Sequence, residues 1–252
     1  MGTSRVTGII AIASGKGGVG KTWLAISLAH ALAREGRRVL LFDGDLGLAN
    51  VDVQLGLGPG PDLAAVLCGR RTLAQAVRRV EPGGFDVLPG RSGCGELGAI
   101  APALLERLLG ELATLAQRYE FTIIDLPAGI DRAVRRLLRI AALRLVVTTD
   151  EPTALTDAYA LIKVSRNDGT DGALQLVVNL ADGHDAGRRT YDGLRRVCEH
   201  FLKLSPPLAG VLRRDPKVAD AIRHQTPLPL RHPNSLAAGD VATLARQLLV
   251  AP

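Results

Sequence analysis

The sequence predicts an α/β fold: one domain, 1–252, on a mostly parallel, doubly wound sheet flanked by helices. Short apolar stretches of strand length alternate with longer amphipathic stretches along the whole chain, the pattern of repeated βαβ units. Hydrophobic residues make up 47% of the 252, enough to cover both faces of a sheet. No break in composition divides the chain, and no apolar run approaches the length of a membrane span.

The expected strands, in order, are 7–13, 38–42, 85–88, 121–125, 143–148, 174–179 and 208–212. Between them the 3.6-residue periodicity predicts helices near 21–35, 102–118, 133–141, 153–166, 188–201 and 217–224, with a last one near 239–250. Gly36 suits the stop of the first helix, and Pro102 the first turn of its own. The Gly-rich stretches 56–61 and 83–98 read as surface loops.

Composition excludes several classes of function. Aromatic residues are only 3%, which argues against a stacking platform for single-stranded nucleic acid. Cys68, Cys94 and Cys198 are far apart without C-x-x-C spacing, which suits a reducing compartment and argues against structural zinc. The net charge of +6 permits contact with nucleic acid or anionic lipid, and equally describes a solvated basic surface. Met1–Arg5 offers no apolar signal region, so a cytoplasmic protein is expected.

The strongest signal is Gly15-Lys16-Gly17-Gly18-Val19-Gly20-Lys21-Thr22, a complete G-x-x-x-x-G-K-[ST] between a buried strand and a helix. Its glycines let the backbone wrap phosphate with N–H groups pointing inward, and the helix adds its positive N-terminal end. Lys21 is expected to reach the β- and γ-phosphates of ATP, and the Thr22 hydroxyl to ligate Mg²⁺; Trp23 adjoins them. Strand 121–124 ends in Asp125-Leu126-Pro127-Ala128-Gly129, four apolar residues and a carboxylate suited to hold Mg²⁺ through water. Strand 38–42 ends in Asp43-Gly44-Asp45, and strand ends in an open parallel sheet face the same crevice. Asp43 is expected to support the metal's water shell. Asn50 and Asp52 follow close behind.

Lys16, a second lysine inside the loop, is not required by a general phosphate loop. KGGVGKT resembles the deviant loop of the MinD/ParA P-loop ATPases. That resemblance implies an ATP/ADP-binding, slowly hydrolysing switch and an ATP-dependent homodimer in which Lys16 reaches the partner's nucleotide. A cation supplied in trans would stabilise charge on the transferred phosphoryl oxygens. The resemblance also implies that Asp45 positions the attacking water and that Ala128 and Gly129 belong to a γ-phosphate sensor. Asn50 and Asp52 fall on the dimer face, and Asn179 hydrogen-bonds adenine. Asp215 is placed as a second base contact, with a turn-forming role equally open.

The resemblance covers nearly the whole chain. The run from Asp45 to Asp52 and the run from Glu151 to Lys163 are similar to the FlhG flagellar-number regulators more than to MinD or ParA. This implies a flagellar or polarity partner: an FlhF-like GTPase, a switch protein or a transcription activator. MinD-type division-site control and ParA-type DNA partitioning are the alternatives. Departures are Asp150 where proline is usual and no room before the first strand for the short Asp-Gln-Ala motif with which FlhG proteins begin. An iron–sulfur relative is disfavoured, because Gly93-Cys94-Gly95 has no second cysteine after Asp125 to match it.

Two surface features remain. Arg132, Arg135, Arg136 and Arg139 form a basic stripe on one helical face, either a solvated surface or a docking face for membrane, DNA or an acidic partner. In 240–250 the residues Val241, Leu244, Ala245, Leu248 and Leu249 share a face on which only Arg246 adds a cation nearby. That pattern favours packing on the domain over weak membrane attachment at a pole or inner membrane.

Overall fold

The alternating pattern resolves into one eight-stranded sheet in this computed structural model, which describes residues 8–45, 48–90, 101–169 and 172–250. The N-terminal segment Met1–Arg5, Leu46, Gly47 and the Cys94 loop lie outside the described residues. The first half runs β1 (Gly8–Ser14), α1 (Lys21–Arg34), β2 (Val39–Asp43), α2 (Val51–Gln54), α3 (Leu63–Leu67), α4 (Leu73–Ala76), β3 (Arg78–Val80) and β4 (Phe85–Leu88). Then come α5 (Pro102–Ala116), β5 (Phe121–Ala128), α6 (Arg132–Arg139), β6 (Leu143–Thr148), α7 (Pro152–Asn167) and β7 (Ala173–Ala181). The chain continues through α8 (His184–Leu202), β8 (Leu208–Arg213), α9 (Pro216–Arg223), α10 (Leu228–Arg231) and α11 (Leu236–Val250).

The strand order is β3-β4-β2-β5-β1-β6-β7-β8, parallel throughout except for the β3–β4 pair. Alternation along β1 shows why both faces must be apolar. Ile10 and Ile12 join one core with Leu24, Leu28 and Val241, while Ile9, Ala11 and Ala13 join another with Leu112, Leu137 and Leu161. Helix α1 is buried along most of its length because the sheet lies on one side and α11 on the other. It stops where Gly36 takes a left-handed backbone, φ +77°.

Helix α11 buries Val241, Leu244, Ala245 and Leu248 in the core it shares with α1. Its Asp240 accepts three hydrogen bonds from Arg213, from the backbone N–H at 2.9 Å and the guanidinium at 2.9 and 2.8 Å, tying α11 to β8. No described helix is long and apolar enough to cross a membrane.

The structure adds elements that periodicity does not reveal. Helices α2, α3, α4 and α10 are four or five residues long, too short to repeat a pattern. Local hydrogen bonds hold two of them: Asp62 accepts from the Ala65 N–H, and Thr72 and Gln75 form a reciprocal capping box. Strand β3 reads as polar because of Arg78 and Arg79, and β5 runs three residues beyond the expected Asp125 because Ala128 pairs with Ser14.

Truncating Leu244 to Ala is expected to destabilise the protein by about 2–5 kcal/mol in urea unfolding, whereas Arg246→Ala, on the exposed side, leaves the midpoint nearly unchanged.

Candidate functional site

The C-terminal ends of β1, β2 and β5 converge on a cleft of about 570 Å³, beside the point where the chain leaves β1 in opposite directions. The loop after β1 forms its floor. Gly18 and Gly20 have φ of +78° and +90°, and the left-handed Gly20 is the residue on which α1 begins. At Gly15 the constraint is space. A Cβ there would lie 2.3 Å from the Asp157 carbonyl oxygen of α7.

The two lysines of this loop point to different places. Lys21 Nζ donates to Ser14 Oγ at 2.7 Å inside the cleft, and burial lowers its pKa against the pull of Asp125 and Asp45. Lys16 turns outward, its side chain one-third exposed, and donates to Glu151 and, at 2.8 Å, to Thr153 Oγ1 at the start of α7.

Register explains the carboxylates. Asp43 on β2 is the lateral neighbour of Asp125 on β5, so two acids sit side by side at the buried sheet end. Burial raises Asp125 to about 6, with opposing help from a Thr22 hydroxyl donor and Lys21. Burial and then repulsion from Asp125 raise Asp43 to about 8. A divalent cation fits this arrangement: Asp125 Oδ1 is buried with no hydrogen-bond partner among the described residues, beside the Thr22 hydroxyl. No group of three or more His, Cys, Asp or Glu side chains able to hold a metal occurs among the described residues. The chemistry therefore suits Mg²⁺, which takes one or two protein ligands and fills the rest with water and phosphate.

Gly17, Gly18, Gly20, Lys21, Thr22, Trp23 and Asp45 line the cleft, and Val19 is buried beneath it. Other expected residues sit differently. Asp43 does not line it; its oxygens accept from the Asp45 N–H at 3.1 Å and the Val51 N–H at 3.2 Å, so it holds the following loop in place. Asn179 is buried and donates to the Val19 carbonyl at 2.7 Å, bracing the loop from β7, while its Oδ1 has no partner among the described residues. Asp215 accepts from the Lys217 N–H at 2.9 Å and the Ala237 N–H at 3.2 Å, which makes it a helix cap of α9. Of the two roles left open for it, the turn-forming one is what its side chain does.

Three of the four arginines of the basic stripe on α6 are paired, two of them with one carboxylate. Arg135 Nε donates to Asp168 at 2.7 Å, Arg139 lies 3.9 Å from the same carboxylate, and Arg136 pairs with Glu106. The expected docking face thus retains Arg132 alone without an ion pair among the described residues.

Sequence reasoning missed Leu48, Gln54, Asp131 and Ile222, which also line the cleft. Ile222 arrives from α9 because Gln225 Nε2 donates to the Val53 carbonyl at 3.0 Å, joining the end of α9 to α2. No local pattern signals a contact between residues so far apart. Asp131 was legible as an N-cap, accepting from the Ala133 and Val134 N–H groups at 2.9 Å.

The family described as the CobQ/CobB/MinD/ParA nucleotide binding domain matches residues 10–228. The chain belongs to this family. It is 38% identical over 238 residues to the antiactivator FleN of Pseudomonas aeruginosa, covering 94% of this chain and 85% of that one. It is 32% identical over 245 residues to the flagellum site-determining protein YlxH of Helicobacter pylori, covering 96% and 82%. Among solved structures, the septum site-determining protein MinD of Pyrococcus horikoshii complexed with Mg-ADP superposes with a TM-score of 0.79 at 26% identity, covering 96% of each chain. The structural likeness agrees with the parallel sheet described above.

The raised carboxyl pKa values set a direction for stability in the nucleotide-free protein. The native state holds protons on Asp43 and Asp125 that the unfolded chain releases near pH 4, so stability falls as pH rises from about 4 to about 8. Thermal melts in chelator should show this decline, and Asp43→Asn should flatten its upper part, between pH 6 and 8.

Proposed function

We propose that this protein is an ATP-driven switch that binds ATP with Mg²⁺, forms a homodimer, hydrolyses ATP slowly, and sets the number or placement of polar flagella. The observation that carries the switch is the divergence of Lys16 and Lys21. Lys21 lies in its own cleft, where it would meet the β- and γ-phosphates; Lys16 is held outside it by Glu151 and Thr153. A lysine in that position serves a phosphate only after it is released, and the phosphate in reach is a second copy's. Exposed apolar residues around the cleft suit such a face: Leu48 at 72% exposure, Val53 at 55%, Ile130 at 41% and Ile222 at 37%. Asn50 lines the cleft beside Leu48, and Asp52 follows in α2.

In this reading Gly15 to Thr22 wrap the phosphates, and Trp23 closes the side of the loop. Thr22 and Asp125 hold Mg²⁺, which when bound offsets charge on the phosphate oxygens. Asp45 orients the water that attacks the γ-phosphorus as the bond to the bridging oxygen breaks, giving ADP and phosphate. Asp43 acts at one remove, through the loop that carries Asp45. Asn179, which braces the loop through Val19, would offer its remaining Oδ1 to the base. Slow turnover makes hydrolysis a timer that a partner accelerates.

The flagellar role draws its support from the likeness to FleN and YlxH over nearly the whole chain. Its partners would be an FlhF-like GTPase, a flagellar switch protein or a transcription activator. A DNA-partitioning role draws less, because the arginines of α6 are spent on internal pairs.

Sizing by light scattering with ADP and with ATP·Mg²⁺ tests the switch. Asp45→Ala should be trapped as a dimer by ATP with hydrolysis reduced by about two orders of magnitude or more. Lys16→Ala should bind ATP and stay monomeric. Glu151→Ala should dimerise at several-fold lower ATP concentration, since it frees Lys16. Absence of any change in size while ATP still binds would refute the trans role.

A further inference from the structure

The two edges of the sheet are finished differently. At one end β3 is three residues long, antiparallel and charged, with Arg79 paired to both Glu81 and Asp86. Short, charged strands are how proteins blunt an edge against unwanted pairing. At the other end β8 pairs with β7 on one side and has no strand on the other among the described residues. Its first five residues, Leu208-Ala209-Gly210-Val211-Leu212, contain neither charge nor proline, Arg213 ends the strand, and the six together extend about 20 Å. The backbone groups that β7 does not use face outward.

A cleft of about 610 Å³ runs along this edge. Its floor is the backbone from Leu208 to Val211, one wall is the start of α8 with His184 and Arg188, and the other is α11 with Gly239, Thr243 and Arg246. Two glycines keep it open. A Cβ on Gly210 would meet nothing closer than 3.8 Å, and one on Gly239 nothing within 4 Å.

The charge of the cleft is one-sided. Arg188, Arg213 and Arg246 line it against the single carboxylate of Asp240. That carboxylate already shows what the edge accepts: it takes the Arg213 backbone N–H at 2.9 Å, an amide that does not go to β7, together with the guanidinium. His184 also lies 3.4 Å from it. Arg188 and Arg246, on opposite walls, have no carboxylate partner among the described residues.

We propose that this cleft is a docking site for an extended acidic segment of a partner protein, which adds as a ninth strand beside β8 with its carboxylates on Arg188 and Arg246. Backbone pairing supplies the affinity and the two arginines select for charge. The site shares no lining residue with the phosphate-loop cleft and does not rest on the nucleotide reading.

The probe is a short, end-capped peptide alternating glutamate with valine, with a lysine–valine peptide as its control. Binding is followed by fluorescence anisotropy, and amide hydrogen exchange reports on residues 208–213. The acidic peptide should bind and slow exchange along β8, and the lysine peptide should not. Reversing charge in the double variant Arg188→Glu, Arg246→Glu should weaken the acidic peptide about tenfold or more and admit the lysine one. Gly239→Leu fills the cleft from a helical position that favours a side chain, so it should keep the thermal midpoint and nucleotide affinity while abolishing peptide binding. Failure of the acidic peptide to bind, or binding that both variants leave unchanged, overturns the proposal. So does concentration-dependent protection of β8 without peptide that Gly239→Leu removes, since the occupant is then a second copy of this chain.

Discussion

The in-register parallel pairing of β1 and β2 with β5 is the constraint from which the site follows. Ile12 and Asp43 both stand opposite Asp125, so the phosphate loop and both carboxylate loops leave the sheet at the same level. A shift of one residue would turn Asp125 from the crevice into the packed layer and exchange the two apolar faces of the strand. Because each strand is covered on both faces, such a shift would also place side chains of the wrong size in both cores. The geometry at this end of the sheet is therefore held by the same packing that holds the fold.

That register concentrates negative charge where burial makes it costly. Asp43 and Asp125 are both removed from solvent, and Asp125 raises the cost of ionising Asp43. Lys21 and the Thr22 hydroxyl answer Asp125, but one of its oxygens still lacks a donor. A divalent cation held there would satisfy that oxygen, and its occupancy would then be linked to the stability of this end of the sheet. Asp43 contributes differently, by fixing backbone amides of the loop that carries Asp45.

Charge elsewhere is handled by pairing, and the pairs decide which surfaces stay available. Four arginines on one face of α6 look like a docking stripe, yet acids from α5 and from the end of α7 pair with three of them. The exposed lysine of the phosphate loop is likewise engaged by α7. At the β8 edge Arg188 and Arg246 keep no carboxylate partner among the described residues. A net charge of +6 thus says little about where a partner binds until the internal pairs have been taken out.

The sequence by itself determined the alternation of strand and helix, the phosphate-loop motif, and the carboxylates Asp43 and Asp45 at the end of β2 and Asp125 after the apolar run of β5. Each of these is written in contiguous residues: apolar runs of strand length, a fixed glycine spacing, a carboxylate after four apolar positions. Only the tertiary structure decided what required distant residues to meet. Asn179 braces the Val19 carbonyl from another strand, Gln225 carries Ile222 to the cleft through Val53, and Asp215 is occupied by the amides of α9 and α11. The short helices, the antiparallel β3 and the partners of the α6 arginines belong to the same class. Periodicity records which face of an element is buried, but a hydrogen bond or ion pair across the fold leaves no mark on the spacing of either residue.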